Sequence, residues 1–281
     1  MIEQAAGLSS QALSAIAELE RRVVEADGGR LKLEWATLRG RSGDRVDDLL
    51  WWEGDRLAGF LGFYAYGSTL ELAGMVAPDR RRRGIATALL DAAVPLYRER
   101  DVREVLLIVP RASMAGQRLA VRRGGVLDHS EHGLVLSGPP TDGPRDPALS
   151  LRRASEADLP LVSRLLQAGF GGPAPDDLTD RLDSPRAQIL VIEFDGLSVG
   201  TMTVTRDGVD GGVYGFVVDP RWQGRGVGRD ALRRACEQLR TDGASQIRLE
   251  VAVENDRALA IYTGAGFKPV ITEDYFALPR T

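Results

Sequence analysis

The chain is poor in several residue types, and each shortage removes a class of protein. It has one cysteine, Cys236, in 281 residues. No internal disulfide framework can form, and a reducing compartment, the cytoplasm, is expected. Its two histidines, His129 and His132, stand apart from any second cluster of ligand-type residues, so no metal is expected. No apolar run reaches the roughly 18 residues of a membrane helix, so no membrane partner is expected. The start, MIEQAAGLSS, lacks the basic and apolar regions of a secretory signal. A formal charge of −4 argues against a surface built for nucleic acid. Lysine occurs only at Lys32 and Lys268, and asparagine only at Asn255. What remains is a globular balance, 43% hydrophobic and 27% charged, which excludes a disordered chain. The length suits two domains of about 140 residues.

The ten residues from Gly138 to Pro147 hold four of the 14 prolines and no apolar periodicity. They read as a linker. The halves on either side resemble each other. Met75-Val-Ala-Pro-Asp-Arg-Arg-Arg-Arg-Gly-Ile-Ala86 parallels Val217-Val-Asp-Pro-Arg-Trp-Gln-Gly-Arg-Gly-Val-Gly228. Pro78 and Pro220 lie 142 positions apart (220 − 78), as do Gly84 and Gly226 (226 − 84), and the offset slips by one to pair Gly125 with Gly266. Each half therefore reads as one copy of the same unit, an intrachain pseudo-dimer that is monomeric or homodimeric as a whole. The expected division is 1–137, a linker over 138–147, and 148–281.

In the second copy, helical spacing runs through 155–170, with Ser155 as N-cap. Gln188–Phe194 and Leu197–Thr205 are strands joined by the hairpin signal Asp195-Gly196. Gly212–Val218 is a third strand, Gly226–Leu239 a helix, Ile247–Val253 a strand and Asp256–Gly264 a helix, with 267–278 supplying a closing pair of strands. The first copy repeats this from Leu49: strands near 49–53, 57–66 and 70–77, a helix over 85–98, a strand over 104–109 and a helix near 113–123. A helix over Ser10–Ala26 precedes them, and no initial strand is assigned. The fold class is α/β with a mixed sheet.

Gln223-Gly224-Arg225-Gly226-Val227-Gly228 opens a helix directly after a strand. Glycine permits positive φ and close backbone approach, and the amides of a helix N-terminus attract an anion. Arg225 and Arg229 add charge, so a pyrophosphate suits the loop. The ending Gly-Lys-Ser/Thr of a Walker loop is absent, and the hairpin-joined strands before it do not suit a Rossmann unit.

Downstream comes Leu249-Glu-Val-Ala-Val-Glu-Asn-Asp-Arg-Ala-Leu-Ala-Ile-Tyr-Thr-Gly-Ala-Gly-Phe267. With the glycine loop, the order Asn255, Tyr262, Gly266-Phe267 resembles the GCN5-related N-acetyltransferase superfamily. The resemblance covers nearly all of 148–281 and, more loosely, 49–137. It implies a tandem duplication of the acyl-CoA N-acyltransferase fold. It also implies transfer of acetyl from acetyl-CoA, as cosubstrate, to a primary amine on a small molecule or peptide, by direct attack in a ternary complex. Amides of Gln223, Gly224, Arg225, Gly226, Val227, Gly228 and Arg229 would hold the pyrophosphate. Backbone at Phe216, Val217 and Val218 would pair with the pantetheine arm and polarise the thioester carbonyl. Asn255 would bond the cofactor arm, although it also stands where an N-cap belongs. Tyr262 would protonate the leaving thiolate. The spacing of Glu250 and Tyr262 resembles the branch that acetylates ribosomal-protein N-termini, which implies Glu250 as general base. Asp210 and Glu254 are the other candidates.

The first copy keeps Val76, Arg82, Arg83, Gly84 and Ala86 of the loop pattern, a candidate second CoA site. At offset 142, however, Ser113, Ala120 and Ile108 face Asn255, Tyr262 and Glu250. Glu71 could act as a base, with no acid beside it in sequence. The first copy is thus expected not to catalyse. A decayed first domain before an intact second one resembles mycothiol synthase and other tandem acetyltransferases. The competing reading is an acyl-CoA-binding sensor or scaffold without turnover.

Overall fold

The computed structural model describes residues 1–171, 178–184 and 186–280. It forms two compact units, Met1–Ser130 with Ile271–Thr281, and Glu131–Val270. Along the chain the first unit carries β1 (Ile2–Ala5), α1 (Ser10–Asp27), α2 (Trp35–Arg39), β2 (Asp48–Glu53), β3 (Arg56–Tyr66), β4 (Thr69–Val76), α3 (Ile85–Arg98), β5 (Glu104–Pro110) and α4 (Met114–Arg122). Then β6 (Val126–Leu136) leads into the second unit, with β7 (Leu149–Arg153), α5 (Leu159–Phe170), α6 (Leu178–Leu182), β8 (Ala187–Phe194), β9 (Leu197–Asp207), β10 (Asp210–Val218), α7 (Val227–Thr241), β11 (Gln246–Ala252) and α8 (Asp256–Gly264). Strand β12 (Lys268–Ala277) returns to the first unit.

Each unit has the same sheet. In unit 1 the order is β1-β2-β3-β4-β5-β12, and in unit 2 it is β7-β8-β9-β10-β11-β6. All pairs are antiparallel except β4 with β5 and β10 with β11. Strand alternation gives each sheet two apolar faces. In unit 1, Val105, Leu107 and Val109 of β5 meet Ile85, Leu89 and Ala93 of α3. Leu106 and Ile108, on the other face, meet the Ile16, Leu19 and Val23 stripe of α1. In unit 2, Ile247, Leu249 and Val251 pack with Ala231, Leu232 and Ala235 of α7. Val162 of α5 packs with Ile189 and Val191 on the opposite face.

The expected boundary at 138–147 does not coincide with these units. Glu131–Leu136 of β6 pairs with Ala252–Ile247 of β11, and Leu134 and Leu136 are buried in the unit 2 core. The last strand goes the other way: Glu273–Ala277 pairs with Pro110–Leu106 of β5. Each unit is thus completed by a strand from the other copy's stretch of sequence. The residues 267–278, expected as a pair of strands, form β12 alone. The strand missing from the first copy's beginning is β1, paired with β2.

The Pro/Gly stretch lies inside unit 2 and is fastened to α7. Arg233 Nη2 donates to Pro144 O at 2.5 Å. The Asp146 amide donates to Asp230 Oδ2 at 2.9 Å, and Arg234 Nη2 donates to Asp146 O at 2.8 Å. A Cβ on Gly143 would stand 2.6 Å from Arg233 Nη1. Proline and glycine here mark a chain without repetitive structure, not a freely hinged boundary. Among the described residues no helix is long and apolar enough to cross a membrane.

Candidate active site

The parallel pairing of β10 and β11 stops at Gly212–Arg248. Beyond it the two strands no longer bond to each other, and a gap opens between Val213–Val218 and Leu249–Ala252. At the start of this gap β10 is irregular. Tyr214 pairs with Thr203, but the next pair is Val217 with Thr201, so β10 holds one extra residue. That is a β-bulge, which turns backbone groups out of the ladder. Gly215 supplies its positive φ of 55°, a conformation that other residues adopt at a cost.

The glycine loop lies just beyond. Gln223 Nε2 donates to Val218 O at 2.8 Å, and Arg257 Nη1 donates to Gln223 Oε1 at 2.8 Å. Gly224 and Gly226 have φ of 78° and 87°. Gly226 is the N-cap of α7 and provides no side-chain acceptor. The first-turn amides of a four-turn helix are therefore left for a guest, with the helix dipole behind them. Arg225 stacks over the Trp222 ring at 5.0 Å. A Cβ on Gly228 would be 3.6 Å from Phe216 Cζ and 3.9 Å from Ile261 Cδ1. Helix α7, the bulge and α8 thus converge.

Tyr262, on α8, is 8% exposed. Its ring lies 6.4 Å from that of Phe216 and 6.2 Å from that of Phe267. Burial pushes its phenol up to about 12. Asn255 caps α8, its Oδ1 accepting from the Ala258 amide at 3.0 Å. That bond uses the carbonyl and leaves the amide NH2 as donors.

Glu250 is not on the Tyr262 face. Leu249 and Val251 point into the α7 core, so alternation places Glu250 on the α5 face. Its neighbour on β6 is Gly133. The structure therefore gathers the bulge, loop, Asn255 and Tyr262 on one face, with Glu250 across the strand that edges the gap. Arg248 and Asp210 share the Glu250 face and form an ion pair at 3.2 Å; the sequence pattern of apolar and glycine motifs gave no sign of Arg248.

Unit 1 keeps the loop and loses the rest. Arg81 Nε donates to Val76 O at 3.2 Å, as Gln223 does to Val218. Gly84 caps α3 with φ 82°, and Arg82 takes φ 63° where the second copy has Gly224. A non-glycine residue there costs about 1 kcal/mol. Arg80 and Arg81 are engaged by Glu53 and Asp27. Strand β4, however, runs in uniform register against β3 from Thr69 to Val76, without a bulge. The corresponding parallel pairs show the missing residue: Glu71 faces Leu106 where Gly212 faces Arg248. The offset is 141 on one strand and 142 on the other (212 − 71; 248 − 106). Ser113 caps α4 as Asn255 caps α8. Ala120 is buried and Val121 exposed where Tyr262 would be.

The face of unit 1 around Glu71 is also occupied by side chains. Lys32 Nζ donates to Tyr275 Oη and lies 3.5 Å from Glu71. The His129 ring stacks on Tyr275 at 4.1 Å. Sequence reading found no acid near Glu71; the phenol comes from the returning strand β12. Tyr275 pairs with Ile108 where Gly133 pairs with Glu250. Among the described residues no group of three or more His, Cys, Asp or Glu is gathered to hold a metal ion.

The profile of the acetyltransferase (GNAT) family matches residues 12–124 and 159–267. The chain belongs to that family. Its acetyltransferase unit is present twice, in tandem. Similar relatives are mycothiol acetyltransferases. The one from Propionibacterium freudenreichii subsp. shermanii is 30% identical over 96% of this chain and 90% of its own. That from Kytococcus sedentarius is 31% identical over 97% and 96%. Among solved structures, a GCN5-related N-acetyltransferase from Sphaerobacter thermophilus superposes with TM-score 0.78 at 19% identity, covering 99% of this chain and 96% of its own. A tandem GNAT protein from the clavulanic acid biosynthesis pathway superposes with TM-score 0.71 at 19% identity, covering 100% and 99%. These likenesses establish the acyltransferase fold.

Proposed function

We propose that this acetyltransferase moves acetyl from acetyl-CoA to a primary amine, directly within a ternary complex, and that unit 2 performs the transfer. The observation that carries the reading is the bulge between Tyr214 and Val217, set against Tyr262 in unit 2 and absent from unit 1.

The backbone of Phe216–Val218 pairs with the pantetheine arm, and an amide freed by the bulge polarises the thioester carbonyl. First-turn amides of α7, with Arg225 and Arg229, hold the pyrophosphate. Asn255 donates its side-chain amide to the cofactor arm. The amine nitrogen attacks the carbonyl carbon and gives its proton to Glu250, directly or through water. The C–S bond breaks, and the departing thiolate takes the Tyr262 proton. With its phenol near 12, Tyr262 keeps that proton through the neutral range. The apolar surroundings that raise the phenol also raise the basicity of a nearby thiolate. Unit 1, with no bulge and with Lys32 between Glu71 and Tyr275, holds at most a CoA and turns nothing over.

The relatives' name makes mycothiol chemistry one acceptor class to try. The decisive assay is thiol release from acetyl-CoA with a panel of amines, including mycothiol lacking its acetyl group. Tyr262→Phe is expected to lower kcat by about 10²–10⁴ while CoA affinity is kept, and Glu250→Gln to lower kcat as well. Unchanged turnover in Tyr262→Phe would remove that residue from the mechanism. Tight CoA binding with no release for any amine would favour a sensor.

A further inference from the structure

The α5 face of unit 2 carries, two residues from Glu250, a positive charge whose use the transfer step does not explain. Glu250 and Arg248 are alternate residues on β11, so both point to this face, about 7 Å apart along the strand. Each stands beside a glycine: Glu250 beside Gly133 of β6, Arg248 beside Gly212 of β10. The Gly212 position is roofed by Tyr214, whose ring would lie 2.5 Å from a Cβ there, and Tyr214 is itself 36% exposed.

Arg248 is held lightly. Its ion pair with Asp210 is a single 3.2 Å contact between side chains 32% and 46% exposed. Such a pair is easily rearranged. A guanidinium has five N–H donors in a planar fork, and one contact to Asp210 leaves an edge able to take a carboxylate through two parallel bonds.

Resting on the reading of unit 2 as the transfer site, we propose that Arg248 selects the acceptor: the amine substrate carries a carboxylate a few bonds from its nitrogen. The ammonium form docks at Glu250, which passes its first proton on to solvent and is then free for the one released on attack, and the carboxylate docks on Arg248. With Asp210 on the far side of Arg248, the carboxylate of a zwitterion fits at 248, and of the two flanking carboxylates only Glu250 holds the ammonium beside the gap. That orientation aims the nitrogen at the gap between β10 and β11. A neutral polyhydroxylated amine would leave the Arg248 edge without an ionic partner and gain less from it. Asp210 acts as the place-holder that steadies the guanidinium when no acceptor is bound.

The test compares matched amines on the full chain with saturating acetyl-CoA: 4-aminobutyrate against butylamine, and β-alanine against β-alaninamide. Thiol release gives kcat/KM for each. The wild-type protein is expected to favour the carboxylated member of each pair. Arg248→Met is expected to reduce that preference about ten- to hundredfold, through KM, the range of a charged hydrogen bond. Arg248→Lys is expected to recover part of it. Asp210→Asn is expected to move the preference the other way, by freeing the guanidinium; it also serves if Arg248→Met folds poorly. Equal rates for matched pairs in the wild type, or an unaltered preference in Arg248→Met and Asp210→Asn, would overturn the assignment of Arg248 and leave the transfer reading standing. Thiol release with neutral amines only would do the same. No release with any amine would overturn both.

Discussion

Cutting the chain before Gly138 would remove Glu131–Leu136 from unit 2, although a reading of proline and glycine content places the cut there. The lost segment makes six registered pairs with β11. It also carries Leu134 and Leu136, 0% and 2% exposed, in the unit 2 core. Removing a buried leucine side chain costs about 2–5 kcal/mol, so the two together cost about 4–10 kcal/mol. A whole domain is stable by only about 5–15 kcal/mol. The fragment 138–281 also keeps Tyr275, Phe276 and Leu278, which bury in unit 1, and would expose them. The fragment 131–270 keeps the β6 segment and omits that tail. Urea unfolding followed by far-ultraviolet circular dichroism compares the two. With a slope of about 2 kcal/mol per molar, the midpoint of 138–281 is expected at least about 2 M below that of 131–270, or no cooperative transition at all. Equal midpoints, or a folded 138–281 beside an unfolded 131–270, would refute the argument that β6 completes unit 2.

Two further perturbations follow from ion pairs. Asp48 is 0% exposed and bonds Arg41 Nε and Nη2 at 2.8 and 2.9 Å; burial pushes its carboxyl up in spite of Arg41. Arg41→Met leaves that carboxylate uncompensated and is expected to cost about 3–5 kcal/mol in urea unfolding, and a loss below about 1 kcal/mol would contradict it. Bonds from the Arg221 side chain and amide hold the Asp219 carboxyl low, at about 2. Its folded value lies below the unfolded one near 3.9, so this stabilisation is present above about pH 4 and fades as pH falls toward 2. Arg221 is largely exposed, so the gap between wild type and Asp219→Asn should be about 1 kcal/mol at neutral pH. It should close on acidification; a gap that widens toward pH 2 would contradict the sign.

Most of the local structure is legible in the chain. The apolar spacing of Leu159–Phe170 and Val227–Leu239 marks helices, and Asp195-Gly196 marks a hairpin, because these signals act over a few residues. The site was legible in part. The glycine loop, Asn255 and Tyr262 sit in short motifs whose spacing survives in one dimension. The side of the sheet that Glu250 takes follows from alternation with Leu249 and Val251. The position of Arg248 was not legible, because only the register of β10 against β11 sets it beside Gly212 and Asp210. The same holds for Lys32, Glu71 and Tyr275, which meet from three distant segments.

The sequence by itself determined that there are two copies, that one has lost its later motif, and where the glycine loops fall. Tertiary structure alone decided which strands complete which unit. Strands β6 and β12 each fit an edge of a sheet by their alternation, and nothing local tells β5 from β11 as partner. The choice is made by register over the whole strand and by which core buries Leu134 or Tyr275. Tertiary structure also decided the bulge. One extra residue in β10 is only a slip of offset in the sequence; in the sheet it opens the backbone toward Tyr262 in unit 2, and its absence keeps β4 in the ladder of unit 1.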